Sequence, residues 1–152
     1  MKKMKNDNKG FTLVELIVVL VILAILAAIL VPALLGYIDE AKQKQIVLHG
    51  KSVYTAAQSV ASKYYGKNTT PASASSGFAT DVAKIADMNE FEGSPEAWVS
   101  FSGKDKHAGY VVYQVDYTEN GTDWIWFDGK NWESGSGAKK NDPNAIQIKT
   151  AP

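Results

Sequence analysis

The apolar positions of this chain fall into two distinct patterns. Residues 16–38 carry no charged side chain, an unbroken run of 23. At a helical rise of ~1.5 Å per residue the run is roughly 34 Å long, enough to cross a bilayer core of ~30 Å. Beyond it the apolar positions thin to a stripe. Ile46, Val53, Ala57, Val60 and Tyr64 recur at helical spacing, with Lys44, Lys51, Gln58 and Lys63 on the other faces. One helix is therefore expected to run on to about Tyr64, with Pro32 and Gly36 as its weak points and Gly66 and Asn68 as its stop. The stripe reads as packing surface for an outward domain rather than as contact for a cofactor.

After the helix the period changes. Residues 66–80 read as a loop by composition, with Pro71 and Gly77 among Thr69, Thr70, Ser73, Ser75 and Ser76. A short helix is expected from about Thr80 to Met88, capped by Thr80 or Asp81. Strands follow at 97–102, 109–118, 124–127 and 145–149. In the second, Val111, Tyr113, Val115 and Tyr117 are expected on one face. Asn120-Gly121 between apolar runs signals a hairpin, and Asp128-Gly129 a further turn. The fold class is α+β: a long N-terminal α-helix whose outer half packs on a C-terminal antiparallel β meander.

Charge orients the apolar run. Lys2, Lys3, Lys5 and Lys9 precede it, against Asp7 and Glu15, so by the positive-inside rule this end stays cytoplasmic. A cleaved secretory signal has a shorter apolar region of about 7–15 residues and a small-residue cleavage site. Here the run is longer and meets Asp39-Glu40, which favours a retained membrane helix. The whole 152-residue chain has 16 Lys against 16 acids, and this balance gives no electrostatic reason to bind nucleic acid. It has no Cys, which excludes disulfides and thiolate chemistry, and only two His, His49 and His107. His49 is expected to be a partly covered helix residue and His107 an exposed loop residue.

Lys9-Gly10-Phe11-Thr12-Leu13-Val14-Glu15 sits at the start of the apolar run. This junction resembles the processing site and N-terminal segment of type IV pilins, closely over residues 1–45 and beyond that in general plan. The resemblance implies cleavage between Gly10 and Phe11 by a membrane-embedded prepilin peptidase, with N-methylation of Phe11. It also implies that Glu15 is the assembly glutamate, a charge partner for the free amine of Phe11 on a neighbouring subunit. An acid in an apolar helix otherwise has a desolvation cost, softened near the helix N-terminus by the helix dipole. The expected division is a leader peptide at 1–10, a transmembrane and filament-core helix at 11–38, and an extracytoplasmic domain at 39–152. Loss of the leader leaves 12 Lys against 15 acids, a mildly acidic chain. Related pilins often melt the stretch before a proline such as Pro32 on entering the filament. Ala24, Ala27 and Ala28 here are strong helix formers, so a break confined to residues 28–32 is expected. Many pilins close a C-terminal loop with a disulfide, which this chain cannot do. Trp98, Trp124, Trp126 and Trp132 supply apolar area instead, in the core or against a neighbouring subunit.

Enzyme chemistry finds no footing. Gly50-Lys51-Ser52 echoes the end of a phosphate-binding loop, but it lies within the helix and residue 45 is Gln where the first Gly belongs. Neither G-x-S-x-G nor H-E-x-x-H occurs. Asp116, Glu119, Asp123 and Asp128 gather around the hairpin without EF-hand spacing, and read as turn acids before they read as a calcium site. Asn68-Thr69-Thr70 and Asn120-Gly121-Thr122 match the glycosylation pattern, which carries little weight. No cofactor is expected. The function implied is a structural subunit of a type IV pilus, held in the cytoplasmic membrane before assembly and then part of a surface filament. Its partners would be copies of itself, the prepilin peptidase and the assembly machinery of that membrane. The alternative is a minor pilin or pseudopilin that initiates filaments, binds DNA or a surface, or serves a secretion piston.

Overall fold

The structure is a computed structural model and describes residues 10–103, 108–137 and 142–150. His107 lies outside these residues. The elements run α1 (Leu13–Gly66), α2 (Ser75–Ile85), β1 (Glu96–Phe101), β2 (Val112–Thr118), β3 (Asp123–Phe127), β4 (Trp132–Ser136) and β5 (Ile146–Lys149). The chain forms two compact units, Met1–Ala41 and Lys42–Pro152. The second is called the head below.

In the first unit α1 buries nothing. Every large apolar side chain from Leu13 to Ile38 is at least 41% exposed. A helix apolar all round and left uncovered is built for lipid or for other helices, since monomeric soluble domains rarely expose so large an apolar surface. This helix is long and apolar enough to cross a membrane. Pro32 lies inside it, and the helix is continuous on both sides.

In the head the stripe finds its partner. Val53, Ala56, Ala57, Val60 and Ala61 of α1 are buried with Phe78 and Val82 of α2, Ala97 and Val99 of β1, Val115 and Tyr117 of β2, Ile125 of β3, and Ile146 and Ile148 of β5. Small residues on α1 let the helix lie close to the sheet. At Gly50 a β-carbon would overlap the end of the Ile125 side chain and sit 3.0 Å from the Trp132 ring, so a larger residue at this crossing would make both give way. The sheet is antiparallel throughout, in the order β4-β3-β2-β1-β5.

Several elements depart from expectation for identifiable reasons. The region read as loop begins the second helix early: Thr70 caps a 3-10 turn at Pro71–Ala74, which leads straight into α2 at Ser75. Thr80 is then an interior residue whose hydroxyl donates to the Ser76 carbonyl, not a cap. Helix α2 stops at Ile85, and after Asp87 in the left-handed region a 3-10 turn buries Met88. In β2 the pairing shifts: Ser100 faces Gln114 but Phe101 faces Val112, leaving Tyr113 as an extra residue. This bulge turns the alternation over. Val112, Val115 and Tyr117 are buried, whereas Val111 and Tyr113 are exposed at 41% and 38%. The amide of Gln58 fixes the start of β2 by donating to the Tyr110 carbonyl at 3.1 Å and accepting from the Val112 N–H at 3.0 Å. The strand β4 was not expected at all: Trp132 is its only large apolar residue, and it lies at a sheet edge. The expected hairpin joins β2 to β3, with Asn120 Oδ1 accepting from the Thr122 and Asp123 N–H groups.

The tryptophans divide between the two faces. Trp132 stacks on Phe127 beside the helix-facing core, with 5.2 Å between ring centroids. Trp98, Trp124 and Trp126 alternate with core residues and so occupy the opposite face, where Trp98 and Trp124 lie 5.1 Å apart. Trp124 and Trp126 are nevertheless buried.

Candidate functional site

The start of α1 is built by a local exchange of hydrogen bonds. The Thr12 N–H donates to Glu15 Oε2 at 2.8 Å, and the Thr12 hydroxyl donates to the same oxygen at 2.7 Å. In return the Glu15 N–H donates to Thr12 Oγ1 at 3.3 Å. This is a capping box: two N–H groups that the first helical turn leaves without intrahelical partners are satisfied reciprocally. The carboxylate also sits where the helix dipole favours negative charge. Both residues are exposed.

Gly10 and Phe11 lie outside the helix, and Phe11 is 87% exposed. The peptide bond between them is therefore not part of a helical hydrogen-bond ladder. The structure brings Thr12, rather than Phe11, to the Glu15 carboxylate. The family resemblance points Glu15 to a partner on another chain, whereas T-x-x-E ahead of an apolar run, itself a helix-start signature, points to Thr12.

The acids near the hairpin do not share a site. Asp116, on β2, accepts from Gln114 Nε2 at 3.0 Å. Glu119 is taken by His49 and Tyr117. Asp123 accepts from Asn120 Nδ2 at 2.8 Å. Asp128 accepts from the Asn131 and Lys130 N–H groups, and those bonds, that of Asn131 foremost, hold its carboxyl below the usual range. Among the described residues no three His, Asp or Glu side chains gather to hold a metal ion. His49 is partly covered, as its position beside the apolar stripe implies.

An open groove of about 460 Å³ runs between α2 and the free edge of β5, lined by small and neutral side chains such as Ser75, Ser76, Asn144 and Gln147. It contains no ionisable residue and offers no acid, base or nucleophile pair.

Residues 5–31 match the prokaryotic N-terminal methylation motif, the signature of type IV prepilins. The matched span contains Gly10, Phe11, Thr12, Glu15 and the first part of the apolar run. No curated protein and no solved structure matches the chain. What the motif carries is a pilin-like or pseudopilin-like N-terminus on an α+β head.

Proposed function

We propose that this pilin-like chain is a structural subunit of a type IV pilus that polymerises through residues 11–38 into an extracellular filament. The observation that carries the proposal is the union of the methylation motif with an apolar stretch of α1, residues 13–38, that buries none of its large side chains. At ~1.5–3 kcal/mol for each large apolar side chain removed from water, a helix so uncovered must lie in lipid or against its neighbours. Copies of itself satisfy that requirement once the chain leaves the membrane.

In this scheme the prepilin peptidase cuts after Gly10, and the amine of Phe11 is methylated. Before assembly the Glu15 carboxylate is satisfied by Thr12 in its own helix. On assembly it meets the Phe11 amine of a neighbouring subunit, so that neither charge enters the apolar filament core alone. The assembly machinery of the cytoplasmic membrane extracts the subunit, and the heads form the filament surface. Immunogold labelling with an antibody to the head tests this role. Label along the whole length of surface filaments is the expected result. Label confined to filament tips or to the membrane refutes the role of main subunit and favours the minor pilin or pseudopilin.

A further inference from the structure

His49 stands one residue before the glycine crossing at Gly50, on the first turns of α1 to touch the sheet. Its Nδ1 is 2.5 Å from Glu119 Oε1, just beyond the end of β2. Its ring stacks on Phe91 with 4.0 Å between centroids and 2° between planes. Tyr117 donates its hydroxyl to the same Glu119 oxygen at 2.9 Å. Two segments distant in sequence thus meet at one carboxylate, and a third covers the His49 ring. The two sides of the ion pair are only 22% and 14% exposed, so solvent screens it less than a pair on the open surface.

The two donors to Glu119 differ in kind. Burial, then the Glu119 charge, push the Tyr117 phenol well above its ordinary range, so it remains a neutral donor across the physiological range. Histidine is the side chain whose ordinary titration falls between pH 5 and 8. Donated to a carboxylate, the Nδ1–H of either form makes a charge-assisted bond, and an imidazolium adds the attraction between two full charges.

Other charges nearby are few in kind. Glu90 and Glu92 flank Phe91 in sequence, on the segment whose ring covers His49. On α1 the residues one turn either side are Gln45, Ile46, Ser52 and Val53, all uncharged, with Lys51 two positions on and exposed. Lys149 on β5 is engaged by Glu96 at 2.6 Å.

We propose that His49, Phe91 and Glu119 form a pH-sensitive latch that holds α1 to the head more tightly when the imidazole is protonated. The extra hold belongs to the charged ring alone, so it is greater at mildly acidic than at alkaline pH. This latch lies wholly within the head and does not depend on filament formation.

A double-mutant cycle with His49→Asn and Glu119→Gln tests the latch in the full chain held in detergent micelles. Urea unfolding is followed by tryptophan fluorescence, since all four tryptophans lie in the head. The coupling between the two positions should be at least about threefold in the unfolding constant at pH 6 and clearly smaller at pH 8, where only the hydrogen bond of the neutral ring remains. No coupling, or equal coupling at both pH values, overturns the proposal. Should a variant fail to fold, amide hydrogen exchange on the unmodified chain decides the matter. After correction for intrinsic rates, residues 46–53 should be better protected relative to residues 57–61 at pH 6 than at pH 8. An unchanged ratio overturns the latch.

Discussion

At the scale of single residues, Glu15 carries the most information. Sequence alone marks it as an acid out of place in an apolar helix, and the structure shows what satisfies it locally: the hydroxyl and N–H of Thr12. Removing the carboxylate removes a desolvation cost, so Glu15→Ala is predicted to enter the membrane at least as well as the parent chain. Its half of the capping box would be lost while Thr12 still caps the helix, which a helix of this length tolerates. Filaments should nevertheless be few or absent, because the Phe11 amine has no carboxylate to meet. Membrane fractionation together with counts of sheared filaments measures both effects. Normal filament yield from this variant would reduce Glu15 to a helix cap. Glu119 shows the opposite limit of legibility. Its sequence neighbours are other acids, which read as turn acids, whereas its partners are His49 from 70 positions away and Tyr117. No local pattern announces a contact of that separation.

At the scale of elements, periodicity succeeded where one face alone is buried. The stripe from Ile46 to Tyr64 predicted both the helix and its packed side, because three to four positions per two turns meet the sheet and the rest meet water. It failed where a local feature changes the count. One extra residue at Tyr113 moves Val111 to the exposed surface and brings Val112 into the core. The edge strand β4, with polar residues from Glu133 to Ser136, has no alternation to read. The start of α2 was hidden by the Ser and Gly content of its first turn, although Thr70 and Pro71 form a recognisable helix entrance. Pro32 poses the remaining question for α1. The helix is continuous through it, although an interior proline costs ~3 kcal/mol and leaves the Ala28 carbonyl without its usual donor. In a filament the disruption is predicted to stay within residues 28–32, since Ala24, Ala27 and Ala28 resist unwinding upstream. A filament density map with an extended chain from Ala24 to Pro32 would refute that limit. Pro32→Ala should restore the missing bond and change filament stiffness or yield.

At the scale of the whole molecule, the two units differ in what they bury. The head has its own core of side chains from α1, α2 and four of the five strands, whereas residues 10–41 bury none of theirs. A chain starting near Asp39 is therefore predicted to be soluble and folded, with native tryptophan fluorescence and a monomer mass by light scattering. It should form no filaments in dilute buffer, since the apolar helix surface is gone. Stable filaments from it would contradict polymerisation through residues 11–38. The methylation motif covers residues 5–31 and the head lies outside that match, so the head's role rests on physical reasoning about its surface and core. In the proposed scheme the chain is processed at Gly10-Phe11 and then polymerises. Mass spectrometry of surface filaments sheared from cells that make this protein tests both steps together. The filaments should contain this chain in abundance, beginning at Phe11 and carrying one added methyl group on its N-terminus. Filaments that lack the chain, or contain it still beginning at Met1, would contradict the account.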